Sequence, residues 1–188
     1  MHSVLDYPEI RQRVSLLSVE QYQNFTHKGL MAKNTELIEG VVIEKMSKSP
    51  MHRYATEKLA EILALIFSQT FYVSEEKPLA LERSVPEPDI AVLKGTKEDY
   101  RFEHPHTAHF VVEICYSSYQ FDFEKQFIYA EAKIPEYWLV NLDKGETEVY
   151  RMPQNGQYRE RMIYRKDQAI PIESQFVTLE MIFPEVPT

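Results

Sequence analysis

A chain of 188 residues that is 44% hydrophobic and 12% aromatic can bury one sizeable core but is short for two ordinary domains, so one domain over 1–188 is expected. With 27% charged residues, a mean hydropathy of −0.40 and no apolar run near the roughly 18 residues of a membrane span, the composition excludes a bundle of membrane helices. The net charge of −8 weighs against a surface built to grip long stretches of polyphosphate, which is usually basic.

The opening MHSVLDYPEI carries neither a basic stretch nor an apolar run, so no signal peptide and a cytoplasmic location are expected. Residues 18–27, SVEQYQNFTH, read as a short helix capped by Ser18. ELIEGVVIEKM at 36–46 sets two apolar, β-branched runs about Gly40, a hairpin or bent-strand signal. Ser49-Pro50 supplies a capping hydroxyl and a proline for the first helical position, and Ala55, Leu59, Ile62, Leu63 and Ile66 follow at helical spacing, which predicts a helix over 50–68. Strands are expected at 71–82, 89–93 and 109–115, with one helical turn near 97–102. Helical spacing returns over 121–133, and IPEYWLVNL at 134–142 reads as a strand. ETEVYRM and QYRERMIYR flank the turn residues Pro153, Asn155 and Gly156, forming a further hairpin, and the proline-bearing tail is expected to be irregular with one short element at 176–183. There is no internal repeat and no flexible linker. This succession predicts an α/β fold with a mixed sheet covered by helices.

Glu113 stands out because it interrupts Phe110-Val111-Val112-Glu113-Ile114-Cys115, which otherwise reads as a central strand. A carboxylate buried there must be paired or bound to a metal. Asp89 follows Pro86-Glu87-Pro88 and opens Ile90-Ala91-Val92-Leu93; alone it would read as a turn residue, but with Glu113 it offers hard oxygen ligands suited to Mg2+, with Mn2+ as the alternative. Lys125, at about 100° per residue, shares the inward side of its helix with Phe121, Ile128, Tyr129 and Ala132, whereas Glu124 and Glu131 point away. Asp122 lies one turn before Lys125, near enough to pair with it or join an acidic cluster. His52 lies close to the apolar side of the first long helix, and a further acid for the same site would come from the preceding hairpin, from Glu36, Glu39 or Glu44. The imidazoles of His104, His106 and His109 read as polar loop residues rather than a metal site, Cys115 as a buried, inert thiol, and Arg151, Arg159, Arg161, Arg165 and Lys166 as a solvated hairpin face.

The motifs LIEGVVIEKMS, SPMHR, VPEPDIAVLKG, FVVEICYSS, FDFEKQFIYAEAKIPEYWLVNL and TEVYR together resemble the bacterial Uma-two family of restriction-endonuclease-like proteins, over about residues 35–152. The resemblance implies the αβββαβ core of the PD-(D/E)XK nuclease superfamily, an added C-terminal hairpin, and metal-dependent cleavage of DNA. It further implies that Asp89 is the acid of the PD element, Glu113 the acid of the third strand, and Lys125 a lysine displaced onto the helix, because Cys115 stands where that lysine usually lies. His52, Glu39, Glu44, Asp122 and Ser117 are then expected to line or support the site, with Mg2+ held by Asp89 and Glu113. Two strands to cut, and a second apolar patch at Phe123 and Phe127, suggest a homodimer. A nuclease predicts Asp89, Glu113 and Lys125 around one pocket; a catalytically inactive binding or regulatory module on the same fold predicts a dispersed set, or a site closed by Tyr116, Phe121 or Tyr129.

Overall fold

The computed structural model describes residues 8–67, 70–178, 180 and 182–183. A short turn of helix, α1 (Pro8–Arg11), precedes α2 (Val19–His27), whose start is fixed by Ser18 in a capping box with Gln21. The hairpin β1 (Thr35–Ile38) and β2 (Val41–Glu44) turns through Glu39 and Gly40, both at positive φ (49° and 82°), the conformation a two-residue hairpin loop requires. A side chain at Gly40 would also strike Leu16, 2.7 Å from the position of a Cβ. The long helix α3 (Pro50–Ile66) starts with Ser49 accepting from the His52 N–H and Pro50 in the first turn.

A six-stranded sheet follows, built from β3 (Phe71–Glu75), β4 (Ile90–Lys94), β5 (Phe110–Cys115), β6 (Glu136–Asn141), β7 (Glu146–Gln154) and β8 (Gln157–Arg165), neighbours in that order. Only β5 and β6 pair in parallel, and α4 (Tyr119–Glu131) makes the crossover that parallel pairing needs. In chain order α3, β3, β4, β5, α4 and β6 trace the αβββαβ core, and β7–β8 extend its sheet. Among the described residues no helix is long and apolar enough to cross a membrane.

Two elements depart from the sequence-based expectations. The strand expected over 71–82 ends at Glu75, because Glu76 adopts φ 51° and Pro78 has no N–H for a ladder. The chain then doubles back so that Val85 forms an isolated bridge with Leu37 of β1. Over 169–178 the tail is not irregular: Ala169–Ile172 (β9) and Gln175–Thr178 (β10) pair as a further hairpin, in which Pro171 stands opposite Phe176 and its carbonyl accepts from Arg151. Part of the tail element expected at 176–183 lies outside the described residues, as does residue 68 of the helix expected over 50–68.

Period-two alternation gives the sheet two buried faces. On one, Ile90, Val92, Phe110, Val112, Ile114 and Trp138 pack under α3 and the β9–β10 hairpin. On the other, Ala91, Leu93, Val111, Cys115, Tyr137 and Leu139 pack under α4, joined by Leu79 and Leu81. Glu113 falls on this second face. Phe123 packs into it against Tyr119, while Phe127 stays exposed.

Candidate active site

Asp89 sits where β4 parts from β5. The ladder between those strands runs only from Ile90–Val112 to Val92–Phe110, and Pro88 cannot donate to extend it. The freed N–H of Ile114 is taken by the Asp89 side chain, Oδ2 accepting at 2.7 Å. His52, held in the first turn of α3, donates from Nε2 to the same oxygen at 3.1 Å, the proton belonging on that nitrogen because an ionised carboxylate can only accept. Lys48 donates to Oδ1 at 2.5 Å. Burial would raise the Asp89 carboxyl, but the bond and charge of His52 and the charge of Lys48 outweigh it and hold the group below the usual carboxylate range.

Glu113 is set differently. Its Oε1 accepts from Lys125 Nζ at 3.0 Å and from the Tyr129 hydroxyl at 2.6 Å, both from α4, where the spacing of 121, 125 and 129 brings three side chains onto one line. Burial pushes its carboxyl up to about 8, opposed by the Lys125 charge and reinforced by Asp89, Asp122 and Glu36. The two carboxyls are thus shifted in opposite directions, Asp89 downward by its partners and Glu113 upward by burial.

Lys125 is 4% exposed and stands among acids: Glu113, Glu36 at 3.1 Å and Asp122 at 3.9 Å. Burial would lower its pKa, but the three carboxyls outweigh this and raise it, so it remains a cation. Asp122 is pushed up to about 6 by burial, against Lys125 and a hydrogen bond from Ser118. Of the three hairpin acids only Glu36 comes in. Its Oε1 accepts from Lys125 and from the Glu87 N–H, while its buried Oε2 lies within ion-pair range of Lys125 yet out of line for a hydrogen bond. Glu39 points outward to Arg83 at 2.8 Å, and Glu44 is exposed at the pocket rim.

Asp89, Glu113, Lys125, His52, Asp122, Glu36 and Ser117 all border one cavity of about 480 Å³ between the β2–α3 connection and the β5–α4 turn. Tyr116 and Phe121 stand in its walls without closing it, and Tyr129 lies beneath Glu113. Cys115 shares the face of β5 that carries Glu113 but packs into the core outside the cavity, its thiol pushed up to about 12 by burial and nearby carboxylates. Sequence reasoning missed Lys48. Nothing local distinguishes it from a solvated loop lysine, since its partner lies 41 positions away.

The carboxylates on this cavity are hard oxygen donors of the kind Mg2+ prefers, and Glu36 Oε2 is one that the protein leaves without a hydrogen bond. Among the described residues no three His, Cys, Asp or Glu side chains form a ready cage. Mg2+ does not need one, because it takes one or two carboxylates and fills its other positions with water and substrate oxygens.

Residues 19–183 match the model of the Uma2 family, described as "Putative restriction endonuclease". The fold is similar to the crystal structure of a "putative nuclease belonging to DUF820" from Anabaena variabilis ATCC 29413, with a TM-score of 0.73 at 16% identity over 89% of this chain and 97% of that one. A segment of the type IIG restriction endonuclease BpuSI aligns with a TM-score of 0.38 and 16% identity over 64% of this chain and 14% of that enzyme. No curated protein matches the chain.

Proposed function

We infer the function from the premise that the chain belongs to the Uma2 family and from the pocket it carries: a metal-dependent endonuclease that hydrolyses DNA phosphodiester bonds. The observation that supports this best is the convergence of Asp89, Glu113 and Lys125 on one cavity.

Asp89, Glu113 and the carbonyl of Ile114 are the groups that would hold Mg2+ or, in its place, Mn2+. When bound, the ion supplies a water of lowered pKa and positive charge against the phosphate. Lys125 holds a fixed cation beside Glu113 and stabilises charge that develops on the phosphate oxygens. Tyr129 and Lys125 fix one oxygen of Glu113 at the border of the cavity, holding the carboxyl where it would meet a cation. His52 and the Ile114 N–H fix Asp89, and Lys48 offsets its charge.

A second reading, an inactive binding module, draws on the degree to which both acids are already satisfied by Lys48, His52, Lys125 and Tyr129. Calorimetric titration of Mg2+ and Mn2+ into wild type and Glu113→Ala, followed by incubation with plasmid and single-stranded DNA, separates the two. Metal binding and cleavage in wild type, both lost in the variant, support the nuclease. Wild type that does neither supports the module.

A further inference from the structure

Taken on the nuclease reading, the geometry points to the class of substrate this cavity accepts: an unpaired nucleotide, its base stacked on Tyr116, rather than a phosphate of an intact duplex. Three independent observations carry this.

The first is depth. Asp89, Glu113 and Lys125 are 3–4% exposed and form the floor of a cavity of about 480 Å³, within the range of small-molecule pockets. A phosphate reaches them only by entering the cavity, which a single extended strand does more readily than a duplex with its phosphates on a wide cylinder.

The second is the character of the walls. Ile43 and Met46 come from β2 and the segment after it, Tyr116 and Phe121 from the β5–α4 turn, so both segments bordering the acids present apolar or aromatic surface. Tyr116 is 55% exposed and follows Ile114, whose N–H holds Asp89, by two residues, so it is anchored at the rim beside the acids through its backbone. An exposed aromatic ring beside a phosphodiester site is a platform for a base, and such stacking is worth about 1–3 kcal/mol per base regardless of sequence.

The third is that the cations bordering the cavity are already paired with acids. At the cavity, Lys45 pairs with Glu87, Lys48 with Asp89 and Glu76, and Lys125 with Glu36 and Glu113. On the hairpin that carries the basic stretch, Arg151 pairs with Glu136, Arg161 with Glu148 and Arg165 with Glu146, which leaves Arg159 and Lys166 without an ion pair among the described residues. A duplex binder draws its affinity from neutralised phosphates, and a chain of net charge −8 with these cations engaged has few to offer. Stacking at Tyr116 supplies what phosphate contacts do not.

The test uses a fluorescein-labelled short oligodeoxynucleotide, single-stranded or as its blunt duplex. Binding to the full chain is read by anisotropy in EDTA, and Mg2+-supported cleavage of both forms is followed in parallel. Wild type is compared with Tyr116→Ala and Tyr116→Phe; the position is exposed, so both variants are expected to fold, and circular dichroism checks it. The inference expects the single strand to bind more tightly than the duplex. It expects Tyr116→Ala to weaken that binding by about 5- to 150-fold while Tyr116→Phe retains it. It also expects affinity to fall by less than about tenfold between about 50 and 200 mM salt, against the roughly 10³ to 10⁵ of a protein making many phosphate contacts. Equal or tighter duplex binding, a steep salt dependence, or an unaffected Tyr116→Ala overturns the inference while leaving wild-type cleavage, and so the nuclease reading, in place. Wild type that neither binds nor cleaves either form overturns both.

Discussion

Beneath α3, Leu59 and Leu63 meet Ile90, Val112, Ile114 and Trp138 in contacts that are apolar throughout. Beneath α4, one position along the same strand, Glu113 meets Lys125 and Tyr129, with Glu36 and Asp122 close by. Val112 and Glu113 are both almost completely buried, yet one contributes hydrophobic transfer and the other gives up hydration. Alternation along β5 thus separates two tasks on either side of a single strand: one face holds the sheet together, and the other carries charges that weaken the core in exchange for a site. The apolar face can bear this because α3 and the β9–β10 hairpin cover it fully.

The sharpest way to break the comparison is to damage the stabilising face alone. Leu59 is fully buried, and Leu59→Ala is expected to cost about 2–5 kcal/mol, read as a lower urea midpoint with unchanged slope. Metal binding measured below the transition should persist, because the deletion lies among apolar side chains and meets the cavity only through Ile114, not through any of the acids. Loss of metal binding in a folded Leu59→Ala would show that the two faces are not independent.

On the other face the sign reverses. Burial raises the Glu113 carboxyl to about 8, against an ordinary value of 4.5, so between those pH values the folded chain binds a proton that the unfolded chain has released. Wild-type stability from this group is therefore lost as pH rises from about 4.5 through 8. Glu113→Gln carries no such proton, and its stability relative to wild type should grow over that interval, on the order of 1–3 kcal/mol, while metal binding is lost. Thermal melts of both proteins from pH 5 to 8.5, without metal, check this; a difference that stays flat with pH would mean Glu113 is ionised throughout.

The same contrast explains what the sequence could disclose. The αβββαβ order, the inward side of α4 and the two acids were readable because each is local: a carboxylate inside an apolar run, a lysine at helical spacing from Phe121 and Tyr129. Glu36 and Lys48 were not. The hairpin bearing Glu36 is docked by the Leu37–Val85 bridge, 48 positions apart, and nothing in ELIEG distinguishes the acid that turns in from the one that turns out. The tail hairpin was obscured by Pro171, whose missing N–H argues against a strand until the edge position of β9 is known. In each case the deciding contact is long-range, and a single sequence holds no record of it.

Glu36 and Glu39, three residues apart on one hairpin, allow the smallest and most discriminating test. Glu36 is 2% exposed and tied to Lys125, whereas Glu39 lies at the turn, with its side chain about half exposed and paired to an equally exposed Arg83. Coulomb attraction in a high-dielectric setting is screened and offset by the entropy of holding two long side chains, so such pairs contribute little. Glu39→Gln keeps the shape of a residue held at φ 49° and removes only the charge. It is expected to shift stability by less than about 0.5 kcal/mol and to leave the calorimetric Mg2+ affinity as in wild type. A marked fall in that affinity would mean that the field of the turn reaches the cavity, and the boundary drawn between the hairpin's inward and outward acids would have to move.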